Sequence, residues 1–206
     1  MNKNIRLLFF ENLCLQCIAL LINAYKLAII DKIYNLEWDE DQFTALLVGK
    51  YLSELKIKGH WSISPQQPYY TNKHIIGEEH PTKAPRPDIH FEKYIFENQR
   101  PFEFTIEAKN IKANDSHLKG RYIETGIDNF KTRRYPNGCL AGYIVQGTVS
   151  NCIDGINVLL EKRDRITEKL SIQSIINLYD NVYVSKHVSD NDNIELKHIF
   201  LEFYNN

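Results

Sequence analysis

Two carboxylates and one amine in the middle of the chain, Asp88, Glu107 and Lys109, have the types and the spacing to do chemistry together. Residues 102–109 alternate apolar and polar side chains, which predicts a β-strand. Glu107 and Lys109 are two positions apart, so they project from the same face of that strand. Asp88 begins a second strand-like segment, residues 88–92, and it precedes Glu107 by 19 residues. That spacing suits a hairpin in which the two carboxylates become neighbours.

A carboxylate pair beside a lysine suits hydrolysis of a phosphodiester bond. Two carboxylates held close together raise each other's pKa unless a cation lies between them. A divalent ion bound by such a pair can hold a phosphate and activate a water molecule, and the Lys109 ammonium can neutralise the charge that develops. Less specific interpretations stay open. Glu107 and Lys109 also suit an exposed, ion-paired strand face, and Asp88, which follows Pro87, suits a turn.

The segments around these residues alternate between helix and strand, which predicts an α/β layer sandwich. Helices are expected over residues 3–34, 40–56, 123–130 and 153–170, and Asp39 is a plausible N-cap for the second of them. Strands are also expected over residues 139–146, 182–184 and 199–203, with short strands around Trp61 and Ile75. Arg163 and Arg165 fall in the last helix and are expected to face solvent. His90 shares the face of Asp88, so it could contact a metal ion or the substrate, but a surface position is the favoured interpretation.

The bulk composition is that of a soluble globular protein. The chain has 206 residues, of which 43% are hydrophobic and 25% charged, and this length suits one domain, residues 1–206. Within it, residues 1–35 are a helical extension, residues 40–147 the core that carries the motif, and residues 151–206 a C-terminal helix and strands. The net charge of −1 neither favours nor excludes nucleic acid, because a carboxylate-rich cleft can offset a basic rim.

The spacing of the three residues resembles a known motif. Arg86-Pro87-Asp88-Ile89 followed by Ile106-Glu107-Ala108-Lys109 is similar to the Pro-Asp…(Asp/Glu)-x-Lys motif of the restriction-endonuclease-like nuclease superfamily. The similarity extends over residues 122–130, Tyr135 and Gly142-Tyr143, a pattern found in some uncharacterised bacterial members associated with phage defence. It covers residues 40–147. The resemblance implies a mixed β-sheet of about four to five strands flanked by α-helices.

The resemblance also implies a set of site residues. It implies Mg²⁺, which Mn²⁺ can replace, bound by Asp88 and Glu107, with Lys109 near the nucleophile. Families of this kind usually add an acidic residue from an upstream helix, and Glu40 is the best-placed candidate, with Asp41 second. Basic residues that follow the motif are candidates for contacts with nucleic-acid phosphates: Lys112, Lys119, Arg121, Lys131, Arg133 and Arg134.

The implied activity is that of a metal-dependent endonuclease or exonuclease that hydrolyses DNA in antiphage defence or restriction. Two alternatives stay open. One is an RNase, since nothing in the sequence separates DNA from RNA. The other is a catalytically silent or regulatory subunit that binds nucleic acid or protein within a larger complex, although the intact Asp88, Glu107 and Lys109 argue against it.

The cysteines and the first helix bear on location and partners. Cys14 and Cys17 form a CxxC motif without the second half of a zinc site, so free thiols in a reducing cytoplasm are expected. Residues 13–30 are long and apolar enough to raise a membrane span, but Gln16, Asn23 and Lys26 interrupt them and no secretory cleavage site follows. We expect no membrane partner. The spread of apolar residues predicts either a homo-oligomer or protein-partner interface, or packing on the chain's own sheet.

Overall fold

The computed structural model describes residues 3–55, 61–68, 70, 72–94, 101–177, 179–189 and 192–204. It is an α/β protein with a seven-stranded mixed sheet. The longer helices are α1 (Lys3–Asp31), α2 (Glu40–Leu46), α3 (Ser116–Arg121) and α4 (Val149–Lys162). The strands are β1 (Ser62–Pro65), β2 (Ile89–Lys93), β3 (Phe102–Lys112), β4 (Gly138–Gln146), β5 (Ser171–Ile172), β6 (Val182–Ser189) and β7 (Asp192–Glu202).

Shorter elements continue or connect these. A π-helical turn, Leu47–Leu52, extends α2, and another, Tyr122–Ile127, joins α3 to a short helix, Asp128–Lys131. One helical turn, Asn72–Ile75, and two 3-10 turns, Pro81–Lys83 and Ile166–Glu168, lie in connecting segments.

The strands lie in the order β1-β2-β3-β4-β7-β6-β5. The pairs β1–β2, β2–β3, β7–β6 and β6–β5 are antiparallel, whereas β3–β4 and β4–β7 are parallel. The expected α/β class is confirmed, but the expected four to five strands are too few. The edge strands β1 and β5 have four and two residues, which is too short for a clear periodic pattern. The strand expected around Ile75 is wrong, because that residue ends a helical turn.

The β2–β3 hairpin forms as the sequence predicts. Ile89 pairs with Ile106, and the pairing continues to Lys93 opposite Phe102. Asp88 immediately precedes β2 and therefore lies next to Glu107. Within the described residues, β3 has no strand partner on this side after Ile106, while β4 pairs along its other side. The second half of β3 thus has an open edge, and Glu107 begins it.

Helices cover both faces of the sheet and bury two hydrophobic cores. On one face, α1 and α2 pack against Ile106 and Ala108 of β3. On the other face, the Tyr122–Ile127 turn and α4 pack against Ile111 and Leu140. Glu107 and Lys109 therefore lie on a strand that is packed on both faces, which limits how far their backbone can move.

The middle of α1 packs on the chain's own sheet, as one of the two interpretations of this helix predicted. Leu13, Ile18, Leu21 and Ile22 are buried, and they belong to the core that contains Ile106. The first turns differ, because there the side chains with large exposed fractions are apolar: Ile5, Leu7, Leu8 and Phe9. By length and composition alone, Leu7–Asp31 also satisfies the criteria for a membrane-spanning helix, which the core helix of a soluble protein and a signal sequence satisfy too.

The ends of two helices differ from the expectation. Asp39 caps α2 as predicted, since its side chain accepts a hydrogen bond from Gln42 N at 2.9 Å; the predicted end of this helix, Lys56, lies outside the described residues. Helix α4 ends at Lys162 and not near residue 170, because Asp164 adopts a left-handed conformation with φ of 58°. Arg165 then lies outside the helix, and its side chain is only 17% exposed, so the expected solvent-facing role of Arg165 is wrong.

Candidate active site

Asp88, Glu107 and Lys109 lie together at the open edge of β3. Lys109 Nζ donates to Glu107 Oε1 at 2.6 Å and to the carbonyl oxygen of Ala108 at 2.8 Å. Asp88 Oδ2 accepts a hydrogen bond from the backbone N–H of Ala108 at 2.5 Å. The alternation of the strand places Glu107 and Lys109 on one face, and the hairpin brings Asp88 to the edge beside them.

Burial disfavours the ionised forms of both carboxylates at this position. The exposed fractions of Asp88, Glu107 and Lys109 are 9%, 6% and 7%. Burial, and then the charge of Glu107, raise the pKa of Asp88 to about 7, against the opposing effect of Lys109. Burial also raises the pKa of Glu107, again opposed by Lys109. One ammonium group does not offset two buried carboxylates, so a further cation would stabilise their ionised forms.

The donor atoms suit a small, hard divalent ion. Glu107 Oε2 is buried and has no hydrogen-bond partner among the described residues, so it is an available ligand. Within the same residues, no group of three or more His, Cys, Asp or Glu side chains is arranged to hold a metal ion. Asp88 and Glu107 are therefore the two carboxylates that could serve as ligands here. This fits Mg²⁺, which proteins often hold through one or two carboxylates with water and substrate phosphates completing the shell.

The two candidate carboxylates of the upstream helix have different surroundings, and Asp41 is the one that acts on Asp88. The charge of Asp41 contributes to the raised pKa of Asp88. Gln66 links these residues, since its Nε2 donates to Asp41 Oδ1 at 2.9 Å and its backbone N–H to the Asp88 carbonyl at 3.2 Å. Glu40 instead pairs with Arg121 across 3.0 Å. Glu40 and Asp88 both raise the pKa of Tyr143, after the larger effect of burial.

Two further side chains of the site had no role assigned from the sequence. Tyr135 is buried, and its phenol interacts with the Glu107 carboxylate and lowers the pKa of Glu107, although less than Lys109 does. Asn110 is 8% exposed; its Nδ2 donates to the carbonyl oxygen of Trp38 at 2.7 Å, while its Oδ1 has no partner among the described residues. In the sequence, only the position of Asn110 directly after Lys109 indicates that it belongs to the site.

The six predicted nucleic-acid contacts have different surroundings. Arg134 is exposed, and its charge lowers the pKa of Glu107. Lys112 is half-buried at the end of β3. Three of the others form ion pairs within the chain: Arg121 with Glu40, Lys131 with Glu168 and Arg133 with Asp192. Lys119 is buried, and its Nζ donates to the Ala113 carbonyl. Of the six, Arg134 is the one whose charge acts on the pKa of Glu107.

A second polar cluster lies on β6 and β7. Ser185 Oγ is hydrogen-bonded to His187 Nε2 at 2.6 Å and to His198 Nε2 at 2.7 Å. His187 Nδ1 lies 2.7 Å from Glu168 Oε2, and Tyr122 bonds His198 Nδ1 at 2.9 Å. The order Ser185, His187, Glu168 is that of a nucleophile, a base and an acid. However, Ser185 is 1% exposed and its hydroxyl is hydrogen-bonded to both histidines, so Ser185 is not accessible to a substrate.

Two other expectations concern histidine and cysteine. His90 is 5% exposed, so its expected surface position is wrong. Burial lowers the pKa of His90, against the smaller opposing effects of Glu103 and Glu92. The cysteines are free thiols. Cys17 and Cys139 are fully buried, and burial raises the pKa of both thiols.

No family model, curated protein or solved structure matches the chain.

Proposed function

We propose that this protein is a metal-dependent nuclease of the restriction-endonuclease-like kind that hydrolyses phosphodiester bonds in DNA. The observation that carries the proposal is the convergence of two buried carboxylates, Asp88 and Glu107, with a single ammonium group, Lys109, on the open edge of β3. A purely structural ion pair on a strand does not need a second buried carboxylate beside it. The antiparallel β2–β3 hairpin followed by the parallel strand β4 supports the same assignment.

Each residue of the site has a role in this proposal. Asp88 and Glu107 would hold a divalent ion, which when bound supplies a Lewis acid and lowers the pKa of a water molecule. The Ala108 N–H orients the Asp88 carboxylate through the 2.5 Å hydrogen bond. The Lys109 ammonium lies beside Glu107 and would neutralise charge on the phosphate. Arg134, exposed and close to Glu107, would bind a phosphate of the substrate.

The direct test is incubation of the purified protein with plasmid, linear duplex, single-stranded DNA and RNA, in Mg²⁺ or Mn²⁺. We expect DNA to be cut, and cutting to stop when Asp88, Glu107 or Lys109 is replaced by alanine. If only RNA is cleaved, the proposed site stands and the proposed substrate is wrong, since the geometry of the site suits either kind of phosphodiester. Full cleavage by Glu107→Ala would contradict the proposal.

One observation favours a catalytically silent, binding subunit as the second candidate. Lys109 already satisfies one oxygen of Glu107, and Ala108 satisfies one oxygen of Asp88, so the trio is partly stable without a cation. Calorimetric titration with Mn²⁺ separates the two functions. A nuclease site should bind Mn²⁺ with an affinity that Asp88→Ala lowers, whereas a silent subunit should give no such difference.

The setting of the activity belongs to the same proposal. The family resemblance supports a cytoplasmic role in bacterial antiphage defence or restriction. A nuclease free in the cytoplasm needs restraint, so we propose that a protein partner or a second copy of the chain regulates it. The exposed apolar side chains of the first turns of α1, including Leu7 and Leu8, are the proposed contact surface.

A further inference from the structure

Glu40 and Arg121 form an ion pair that joins helices on opposite faces of the sheet. Arg121 Nη2 lies 3.0 Å from Glu40 Oε1. Helix α2 carries Glu40 and packs into one core through Phe43, whereas α3 ends at Arg121 and leads into Tyr122 of the other core. Both helices contact β3. The ion pair therefore passes from one face to the other beside the strand that carries Glu107.

The Glu40 carboxylate is only partly satisfied by this pair. Its side chain is 16% exposed, and Oε1 makes no well-oriented hydrogen bond to any described residue. Two other buried oxygens, Glu107 Oε2 and Asn110 Oδ1, are also without hydrogen-bond partners in the described part of the chain. Asn110 bonds the carbonyl of Trp38, two residues before Glu40. Buried oxygens without hydrogen-bond partners thus occur on α2 and on both faces of β3. The carboxylate oxygens of Glu40 and Glu107 are of the kind that binds a hard cation.

We propose that the ion pair with Arg121 keeps Glu40 from binding the cation at the Asp88–Glu107 site until a substrate phosphate binds Arg121. We call this ion pair the latch. The inference rests on the proposed nuclease function and concerns its regulation. A cation that uses Glu40 as a ligand must first displace Arg121, so the ion pair lowers its apparent affinity. A phosphate is a strong competitor for Arg121, because a guanidinium can bind two phosphate oxygens at once.

The latch makes cation binding and substrate binding support each other. When a phosphate binds Arg121, Glu40 becomes available to the cation, and a cation on Glu40 in turn frees Arg121 for the phosphate. Such reciprocity is a requirement of thermodynamic coupling between two sites. In the absence of nucleic acid, the chain therefore holds an incomplete ligand set.

The test is the affinity of the full chain for Mn²⁺, measured by calorimetry without nucleic acid, so that no cleavage is needed. Arg121→Gln should raise the affinity by about fivefold, the strength of a partly exposed ion pair. Glu40→Gln should lower it, and the double variant should match Glu40→Gln alone, because the latch acts only through Glu40. Arg163→Gln is the matched control: Arg163 pairs with Glu124 at 2.7 Å near the same helix, and its loss should leave the affinity unchanged.

The outcomes separate the latch from the proposed function. If the wild-type chain binds Mn²⁺ and Arg121→Gln binds it equally well, the latch is wrong and the nuclease proposal stands. If no variant binds Mn²⁺ and the wild-type chain cuts no nucleic acid, both are wrong. Circular dichroism checks that each variant folds. Should Arg121→Gln fail to fold, Arg121→Met keeps the apolar stem of the side chain and should give the same rise in affinity; an unchanged affinity for Arg121→Met overturns the latch.

Discussion

The carboxylate of Asp88 accepts a hydrogen bond from the backbone N–H of Ala108, the residue between Glu107 and Lys109, at 2.5 Å. β2 stops pairing with β3 at Ile106, so β2 offers no acceptor to this N–H. The Asp88 side chain supplies the acceptor in its place. The side chain of Asp88 therefore ends the hairpin and belongs to the site at the same time. A substitution that keeps the hydrogen bond but removes the charge can therefore separate the two effects.

Asp88→Asn should make the metal-free protein more stable at neutral and alkaline pH. Asparagine keeps an oxygen that can accept the Ala108 N–H but removes the charge. The folded-state pKa of Asp88, about 7, lies above its ordinary value of 3.8, so the wild-type chain loses stability as pH rises from about 4 through 7. We expect the free energy of unfolding of Asp88→Asn to exceed that of the wild-type protein by roughly 1–3 kcal/mol at pH 8, and to differ little from it near pH 4. Urea denaturation at both pH values measures this; a less stable variant at pH 8 would contradict it.

Divalent ions should stabilise the wild-type chain through the same carboxylates. A ligand that binds only the folded state raises the melting temperature as its concentration rises. We expect Mg²⁺ and Mn²⁺ to raise the melting temperature of the wild-type protein, and to have little effect on Asp88→Asn or Glu107→Gln. Activity should disappear in EDTA and return with Mn²⁺, with Ca²⁺ a poor substitute. Equal stabilisation of all three proteins would place the ion elsewhere.

Acid should destabilise the fold through the buried histidines. Burial lowers the pKa of His198 to about 3, well below its ordinary value of 6.5, and burial lowers the pKa of His187 as well. Below about pH 6.5 the unfolded chain therefore takes up protons that the folded chain does not, and stability falls as pH falls. The slope attributable to His198 should approach about 1.4 kcal/mol per pH unit.

The effect of His198 is best measured in the Asp88→Asn background, because Asp88 changes stability in the opposite direction over part of this pH range. The free energy of unfolding should fall between pH 6.5 and 4.5, and His198→Gln should reduce that slope. Glutamine can still hydrogen-bond to Ser185 or Tyr122, the two partners of His198. An unchanged slope in His198→Gln would show that other groups control the acid response.

Glu40 should contribute more to cleavage than Asp41. Glu40 has a buried, poorly satisfied oxygen, whereas Asp41 is exposed and already bonded to Gln66. We expect Glu40→Gln to lower the cleavage rate by at least about tenfold, the usual effect of losing one ligand or its support, and Asp41→Asn to lower it less. If Asp41→Asn abolishes cleavage while Glu40→Gln cuts normally, Asp41 is the helix carboxylate of the site.

The first turns of α1 should mediate association of the chain. Leu7 and Leu8 are 62% and 65% exposed, so their replacement by lysine removes little packing within the chain. We expect the wild-type protein to form dimers or larger species in light scattering, and Leu7→Lys with Leu8→Lys to shift it towards monomer. A wild-type chain that stays monomeric at high concentration would exclude self-association through this surface and leave only a different partner protein.

The sequence predicts the strand-based part of the site well because the hairpin and the alternation of residues 102–109 are local. Side chains two residues apart on a strand project from the same face, so the shared face of Glu107 and Lys109 can be predicted without knowledge of the rest of the fold. The N-cap at Asp39 is local in the same sense. The proximity of Asp88 to Glu107 follows once the hairpin is assumed.

The remaining contacts depend on residues far apart in the chain, so no local pattern predicts them. Tyr135 reaches Glu107 because β4 lies parallel to β3, and Arg121 reaches Glu40 because α2 and α3 pack on opposite faces around one strand. The burial of Arg165 depends on its ion pairs with Asp128 and Glu168. The two-residue strand β5 is formed by pairing with β6 and has no pattern of its own.

The most direct test of the central claim compares two glutamates of the same strand in one plasmid-cleavage assay. Glu103 and Glu107 project from the same face of β3, but Glu103 pairs opposite Glu92 within the hairpin and lies away from Asp88. In Mg²⁺ or Mn²⁺, we predict that Glu107→Gln cuts at least about a hundredfold more slowly than the wild-type protein, while Glu103→Gln cuts at the wild-type rate. Equal rates for the wild-type protein and Glu107→Gln, or no cleavage of any nucleic acid by a folded, Mn²⁺-loaded wild-type chain, would contradict the account.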